Sequence, residues 1–381
     1  MRTLIVSDLH LGSISRADLL RRAELRATLL EAIADVDRVV LLGDALELRH
    51  GPLREAMDTA RPFFEDLGRA LAGRELVMVA GNHDHALIEP WLVRRGEEHE
   101  PPPLGVEQLL EPAQVSSTAE RIAGWVSPAR LQVAYPGLWV RPDVYATHGH
   151  YLDCHLTVPT LERLSVGVMA RLLGKPPGTF DSAVDYEATA APVFAWRDAV
   201  ARDAHTGAAL NGAATVTAWH ALRGSGAHNA RSYAGAVRWL RSRAIAAAFP
   251  VVVAALNRAG IGPLRSNISL SELRRAGLAA MGEVAARLDL GDAYVVFGHT
   301  HRAGPFPGDE QNEWRGRQGA RLVNCGSWTY APIFLSSTPG ESPYWPGVCV
   351  IVGDQGAPTI ERLLLDRTRA QLDLAVHVQL L

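Results

Sequence analysis

The chain has 381 residues, enough for one large domain or two, with 48% hydrophobic and 21% charged residues, as expected of a globular protein. A net charge of -3 and a pI of about 6.5 give no support for a long nucleic-acid track, which shows as a basic domain or stripe. Three scattered cysteines are too few for a disulfide framework. The longest uncharged apolar run, Ala244 to Leu256, has 13 residues and contains Pro250, whereas spanning a bilayer takes about 20.

The N-terminus enters a strand at once, Leu4-Ile5-Val6, leaving no room for a signal peptide. The expectation is a cytoplasmic protein, working in solution or peripherally at a membrane. Asp8 and His10 follow that strand. Ser15 to Asp35 has helical periodicity. Val39 to Leu42 reads as a second strand, ending at Gly43-Asp44, and Pro62 to Leu71 as a helix. Glu75 to Ala80 reads as a third strand, ending at Gly81-Asn82-His83-Asp84. Strand, polar residues, then helix or loop, three times over, is the alternation of an α/β protein, whose sites collect beyond the carboxyl ends of strands.

Beyond Pro101-Pro102-Pro103, Val106 to Glu111 and Thr118 to Val126 are expected to be short helices. Strands are expected on either side of Pro136-Gly137, and Val144 to Thr147 leads to His148-Gly149-His150. From 155 to 289 the chain is rich in Ala, Leu and Arg, with helical periodicity, and reads as a helical insertion or cap. Strand texture returns at Tyr294 to Phe297, ending at Gly298-His299-Thr300-His301. This divides the chain into a discontinuous core, 1–154 and 290–366, the insertion, 155–289, and a C-terminal tail, 367–381, packed on the core.

Five polar clusters thus end five apolar runs. Together they offer carboxylate, amide oxygen and imidazole but no thiolate, a donor set for intermediate divalent metals such as Mn, Fe, Zn or Co rather than for structural zinc. The set is too large for one ion and suits two, bridged by a carboxylate, as in sites for phosphoryl displacement. An isolated histidine is more often an ordinary core or surface group; five ordered strand ends make that reading of the set a poor one.

In order, these clusters resemble the motifs of the calcineurin-like metallophosphoesterases: D-x-H, G-D, G-N-H-[DE], H with G-H, and G-H-x-H. Asn324-Cys325-Gly326-Ser327 is similar to that family's N-P-G-S turn, with Cys for Pro. The resemblance implies an α/β sandwich of two β-sheets flanked by helices, with a dinuclear centre. Asp8, His10 and His301 would bind one metal; Asn82, His148 and His299 the other; Asp44 would bridge them. The metals would be Mn first, with Fe, Zn, Co or Mg as alternatives. His83 would be the catalytic acid, and His150 would contact the phosphate. A hydroxide between the metals would attack phosphorus, making the chain a hydrolase of phosphomonoesters, phosphodiesters or a pyrophosphate bond.

Gly43-Asp44-Ala45-Leu46-Glu47 and the helical insertion are also similar to the UDP-2,3-diacylglucosamine hydrolases, which implies a lipid or nucleotide-lipid substrate. Those enzymes have Arg where this chain has His83, and a much shorter lid. A nuclease, a cyclic-nucleotide phosphodiesterase and a non-catalytic scaffold of the same fold are the other readings. Arginines of the insertion, among them Arg163, Arg171 and Arg197, are candidates to meet phosphate if they are not solvated. Glu47 is a candidate partner of the site, and Asp84 is expected to cap the following helix.

Overall fold

The computed structural model describes residues 1–49, 51–175, 179–202, 248–335 and 338–373. Its strands are β1 (Thr3–Val6), β2 (Arg38–Leu42), β3 (Glu75–Val79), β4 (Gln108–Leu110), β5 (Arg130–Tyr135), β6 (Gly137–Arg141), β7 (Val144–Thr147), β8 (Tyr294–Phe297), β9 (Arg321–Asn324), β10 (Val348–Val352) and β11 (Thr359–Arg362). They form a seven-stranded sheet, β11-β10-β1-β2-β3-β5-β4, and a four-stranded sheet, β6-β7-β8-β9. β1, β2, β3 and β5 are parallel, as are β7, β8 and β9.

Alternation along the strands builds the layers. Ile5, Val40, Leu42, Val77 and Val79 of the large sheet meet Leu138, Val140, Val144, Ala146, Val296 and Val323 of the small one in a shared core. The opposite residues of the large sheet, such as Leu4, Val6, Val39 and Leu41, pack under the helices Ala23–Ala32 and Leu53–Leu71. Tyr145, Val295, Phe297 and Leu322 of the small sheet pack under the helix Leu270–Arg287. Both faces of the parallel strands are covered, which is why they read as unbroken apolar runs. The expected α/β sandwich with flanking helices is what the chain forms.

Several local expectations change. Val106 to Glu111 is not a helix: Gln108–Leu110 is an edge strand, paired antiparallel with Val133 to Tyr135. The periodicity of Ser15 to Asp35 yields only a 3-10 turn, Leu19–Arg21, and the helix Ala23–Ala32. Buried Asp18 stops the helix from starting earlier, because its carboxylate accepts from Gly12 N at 3.0 Å and Arg21 Nε at 2.9 Å. The helix expected from Pro62 begins at Leu53, since Ala56, Met57 and Ala60 share the buried face of Phe63, Phe64 and Leu67. Pro62 is tolerated there on the solvent side.

The insertion is helical over Leu161–Leu172, Ala183–Arg202, 248–258 and Leu270–Arg287, the last helix serving as a layer of the sandwich. Of the helical insertion expected over 155–289, residues 203–247 lie outside the described residues, among them the helical stretches 207–221 and most of 231–249 read from the sequence. Arg163 is buried and donates to Leu156 O and Ile261 O, Arg171 donates to Ala259 O, and Arg197 pairs with Glu162, so their contacts are structural. The tail places Leu372 in the core; 374–381 lie outside the described residues. Among the described residues no helix is long and apolar enough to cross a membrane.

Candidate metal centre

β1, β2, β3, β7 and β8 all end on one edge of the sandwich, and their following turns carry Asp8/His10, Asp44, Asn82/His83, His148 and His299/His301. The turns are sharp: Asp8, His10, Asp44, His299 and His301 have φ of 56°, 46°, 51°, 62° and 56°, the left-handed region. For a residue with a Cβ this costs roughly 1 kcal/mol or more each. Such strain gathers where a site needs side chains aimed inward. The glycines ahead of them allow the turns to close. A Cβ on Gly298 would lie 2.1 Å from Ser7 Oγ and 2.4 Å from Asp8 Oδ2. One on Gly81 would lie 2.3 Å from Asp44 Oδ1.

The donor atoms form three overlapping groups, Asp8–His10–His301, His10–Asp44–His83 and Asp44–His148–His299, each within 4.8 Å. Asp8 Oδ1 is 3.1 Å from His301 Nε2, and His10 Nε2 is 3.3 Å from His301 Nε2. Asp44 Oδ2 is 3.3 Å from His148 Nε2 and 3.6 Å from His10 Nε2, so one carboxylate touches both ends of the cluster. Asn82 Oδ1 sits 3.0 Å from both His148 Nε2 and His299 Nδ1. Asp8, His10, Asp44, Asn82, His148, His299 and His301 therefore lie together, with Asp44 close to both His10 and His148.

The far sides of the rings are held. His148 Nδ1 donates to Leu42 O at 3.0 Å, which leaves Nε2 facing the cluster. Glu47 takes His10 Nδ1 at 3.0 Å and His83 Nδ1 at 2.8 Å, so it is a buried partner of the site. Thr329 Oγ1 meets His301 Nδ1 at 3.2 Å. Asp153, near the His148 cluster in the sequence but outside its motif, meets His299 Nε2 at 3.1 Å. Such partners fix ring orientation and ligand basicity in metal sites. Asp84 makes no cap. Its carboxylate accepts from Gly81 N, Ala45 N and Leu46 N at 2.6, 2.8 and 3.2 Å, tying the turn after β3 to that after β2.

Electrostatics follow this geometry. Burial would raise the Asp8 and Asp44 carboxyls, but His301 and His10 beside the first, and His148 and His83 beside the second, hold both well below the usual range. Burial opposes charge on His148, yet the Asp44 carboxylate outweighs it and lifts the ring to about 9. Burial pushes His83 down to about 4 against the pull of Glu47 and Asp44. Burial, helped by the Asp44 charge, raises Asp84 to about 6.

Divalent cations fit this donor set. Asp8 Oδ1 is buried with no hydrogen bond of good geometry, and imidazole edges face one another and two carboxylates across the cluster. That is the arrangement oxygen and nitrogen ligands take around intermediate metals. His150 is placed differently. Its ring is buried beside His148, 5.5 Å from the Phe194 ring of the insertion, and is not among the residues that line the adjoining cavity; neither ring nitrogen has a hydrogen-bond partner among the described residues.

The insertion also reaches the rear of the site through a buried carboxylate. Glu187, on Ala183–Arg202, accepts from the hydroxyls of Tyr135 and Tyr151 and lies 3.3 Å from His85 Nε2. Tyr151 follows the His148 turn and His85 follows the Asn82 turn. At the small sheet's edge, Asn324 Nδ2 donates to Gly298 O at 2.9 Å, so the Asn324-Cys325-Gly326-Ser327 turn braces the loop of His299 and His301.

Residues 1–170 match the family model of the calcineurin-like phosphoesterases. No curated protein matches the chain closely enough to count as a relative. The matched segment holds Asp8, His10, Asp44, Asn82 and His148, and β8 completes the cluster from beyond it. Over residues 1–170, on the two-sheet fold described above, the chain is similar to the calcineurin-like phosphoesterases.

Proposed function

We propose that this protein is a metal-dependent phosphoesterase with a dinuclear centre. The observation that carries this reading is Asp44, whose one carboxylate joins the Asp8–His10–His301 group to the His148–His299 group. Asp8, His10 and His301 would hold one divalent cation, Asn82, His148 and His299 the second, and Asp44 both. Cations bound there would polarise phosphoryl oxygens and make water acidic enough to supply a nucleophile near neutral pH.

The chain's own groups do the rest. Glu47 takes the Nδ1 side of His83, which lines the cavity; a leaving oxygen would collect its proton there from the protonated ring, the form that the Glu47 and Asp44 charges favour against burial. Asp84 keeps the Asp44 and Asn82 turns in fixed relation through four backbone N–H groups, those of Asp44, Ala45, Leu46 and Gly81. Asn82 supplies a neutral oxygen, so the site keeps positive charge for an anionic substrate.

The test is a metal-dependent activity screen over monoesters, diesters, nucleotide pyrophosphates and phospholipids, with metal content measured on the same preparation. About two ions per chain and turnover abolished by Asp44→Asn are expected. Fewer than one ion per chain after supplementation with Mn would instead favour a scaffold that does no chemistry.

A further inference from the structure

Beside the donor cluster lies a cavity of about 360 Å³, within the size range of small-ligand pockets. Asp44, Asn82, His83, His299 and His301 close one end of it. Much of the remaining wall is apolar: Leu152, Leu156, Leu273, Leu278, Phe334 and Tyr344. The helix Leu270–Arg287 presents Leu273, Arg274, Gly277 and Leu278 to the cavity, while Ala280, Met281, Val284 and Ala285 pack on the small sheet.

Charge in this cavity is unevenly matched. Glu162 is paired with Arg197 at 3.1 Å, and Arg302 with Asp309 at 3.2 Å. Arg274 has no hydrogen-bond or ion-pair partner among the described residues, and its Nε is buried. Its guanidinium is steadied over the Tyr344 ring, 5.2 Å from the centroid. The neighbouring acids are engaged elsewhere, since Glu272 and Glu313 both pair with Arg275. A fixed guanidinium with unmet donors suits a carboxylate or phosphate.

We propose that the substrate is an amphiphilic phosphoester: its scissile phosphoryl group at the aspartate–histidine end, an apolar group along the leucine and aromatic wall, and a second anionic group on Arg274. This assignment rests on the phosphoesterase reading above. It makes Arg274 the residue that selects a doubly anionic ligand.

The test uses the full chain loaded with Mn and titration calorimetry with three non-hydrolysable probes below their aggregation thresholds: methylphosphonate, octylphosphonate and 2-phosphonodecanoate. Each buried methylene is worth roughly a fourfold gain in affinity, so octylphosphonate should bind about 60-fold tighter than methylphosphonate with only three methylenes covered. Arg274→Gln should weaken 2-phosphonodecanoate about tenfold while leaving octylphosphonate within about twofold, and Arg274→Lys should recover part of the loss. Equal binding of the methyl and octyl probes overturns the apolar subsite. Loss of both long probes alike, or of neither, in Arg274→Gln overturns the second anion site. Binding is read without turnover, so the two proposals fail separately. Probe discrimination with no phosphoester hydrolysed under any metal sinks the phosphoesterase reading; hydrolysis indifferent to chain length and to Arg274 sinks this one.

Discussion

Asp153 Oδ2 lies 3.1 Å from His299 Nε2, on the opposite edge of the ring from Asn82 Oδ1, which is 3.0 Å from Nδ1. The carboxylate fixes which nitrogen carries the proton and turns the other toward the cluster. Asp153→Asn should therefore lower the affinity of one of two metal equivalents by about 10–100-fold, and leave the other nearly unchanged. Calorimetric titration with Mn separates the two steps; two unchanged affinities would remove Asp153 from the site.

His83 shares Glu47 with His10, and their rings meet edge to face at 4.6 Å. If His83 handles the proton of the leaving oxygen, His83→Ala should cost about 10²–10⁴ in kcat at full metal content. Metal analysis beside the kinetics decides it. A fall in bound metal would make His83 a ligand, as its place in the His10–Asp44–His83 group permits. Glu47→Ala should impair both metal binding and turnover, because it releases both rings.

Gly298→Ala should be far more damaging than its single methyl suggests. The added carbon would meet Ser7 Oγ and Asp8 Oδ2 at 2.1 and 2.4 Å, inside any normal contact. Asp8 Oδ2 would lose its bond from His299 N. A loss of about 2 kcal/mol or more in denaturant unfolding, with weakened metal binding, is expected. A variant of wild-type stability and metal content would contradict the tight approach of β1 and β8.

A pH effect on stability is expected from His155, two residues beyond Asp153. Its Nε2 is 2.7 Å from Tyr186 Oη, and burial holds the ring down to about 4, below the unfolded value near 6.5. The unfolded chain then binds the extra proton first. This contribution is intact above pH about 6.5 and is lost as pH falls toward 4, by at most ~1.4 kcal/mol per unit, less for a half-buried ring. Melting temperature against pH should fall less steeply for His155→Gln than for wild type between those limits. Parallel curves would show that the ring takes up its proton in the folded state without penalty.

What could be read from the sequence was whatever repeats locally. Asp8, Asp44, Asn82, His148, His299 and His301 each follow an apolar run, so chain order alone shows that they share one edge. Asp153 carries no such mark. It sits five residues past His148 and returns to the site only because His150–Cys154 coils as a 3-10 turn. Glu187 lies in the second turn of a helix in the insertion, with no motif around it, and its partners come from three distant segments. The strand Gln108–Leu110 is only three residues long, set by the exposed edge of β5 rather than by its own pattern. The helix from Leu53 was hidden by Pro62, whose local preference is outweighed by the buried face on either side.

The position of Glu187 bears on modularity. The insertion looks detachable, a run of helices spliced between two motif-bearing strands. Excising it would strand Tyr135, Tyr151 and His85, three polar side chains buried at the rear of the Asn82 and His148 turns. A pruned core would have to rewet or repack that region before its turns could settle. The helices are thus a keystone for the fold that carries them, and swapping them for a shorter segment from a relative should succeed only if the graft brings an acceptor to the same three groups.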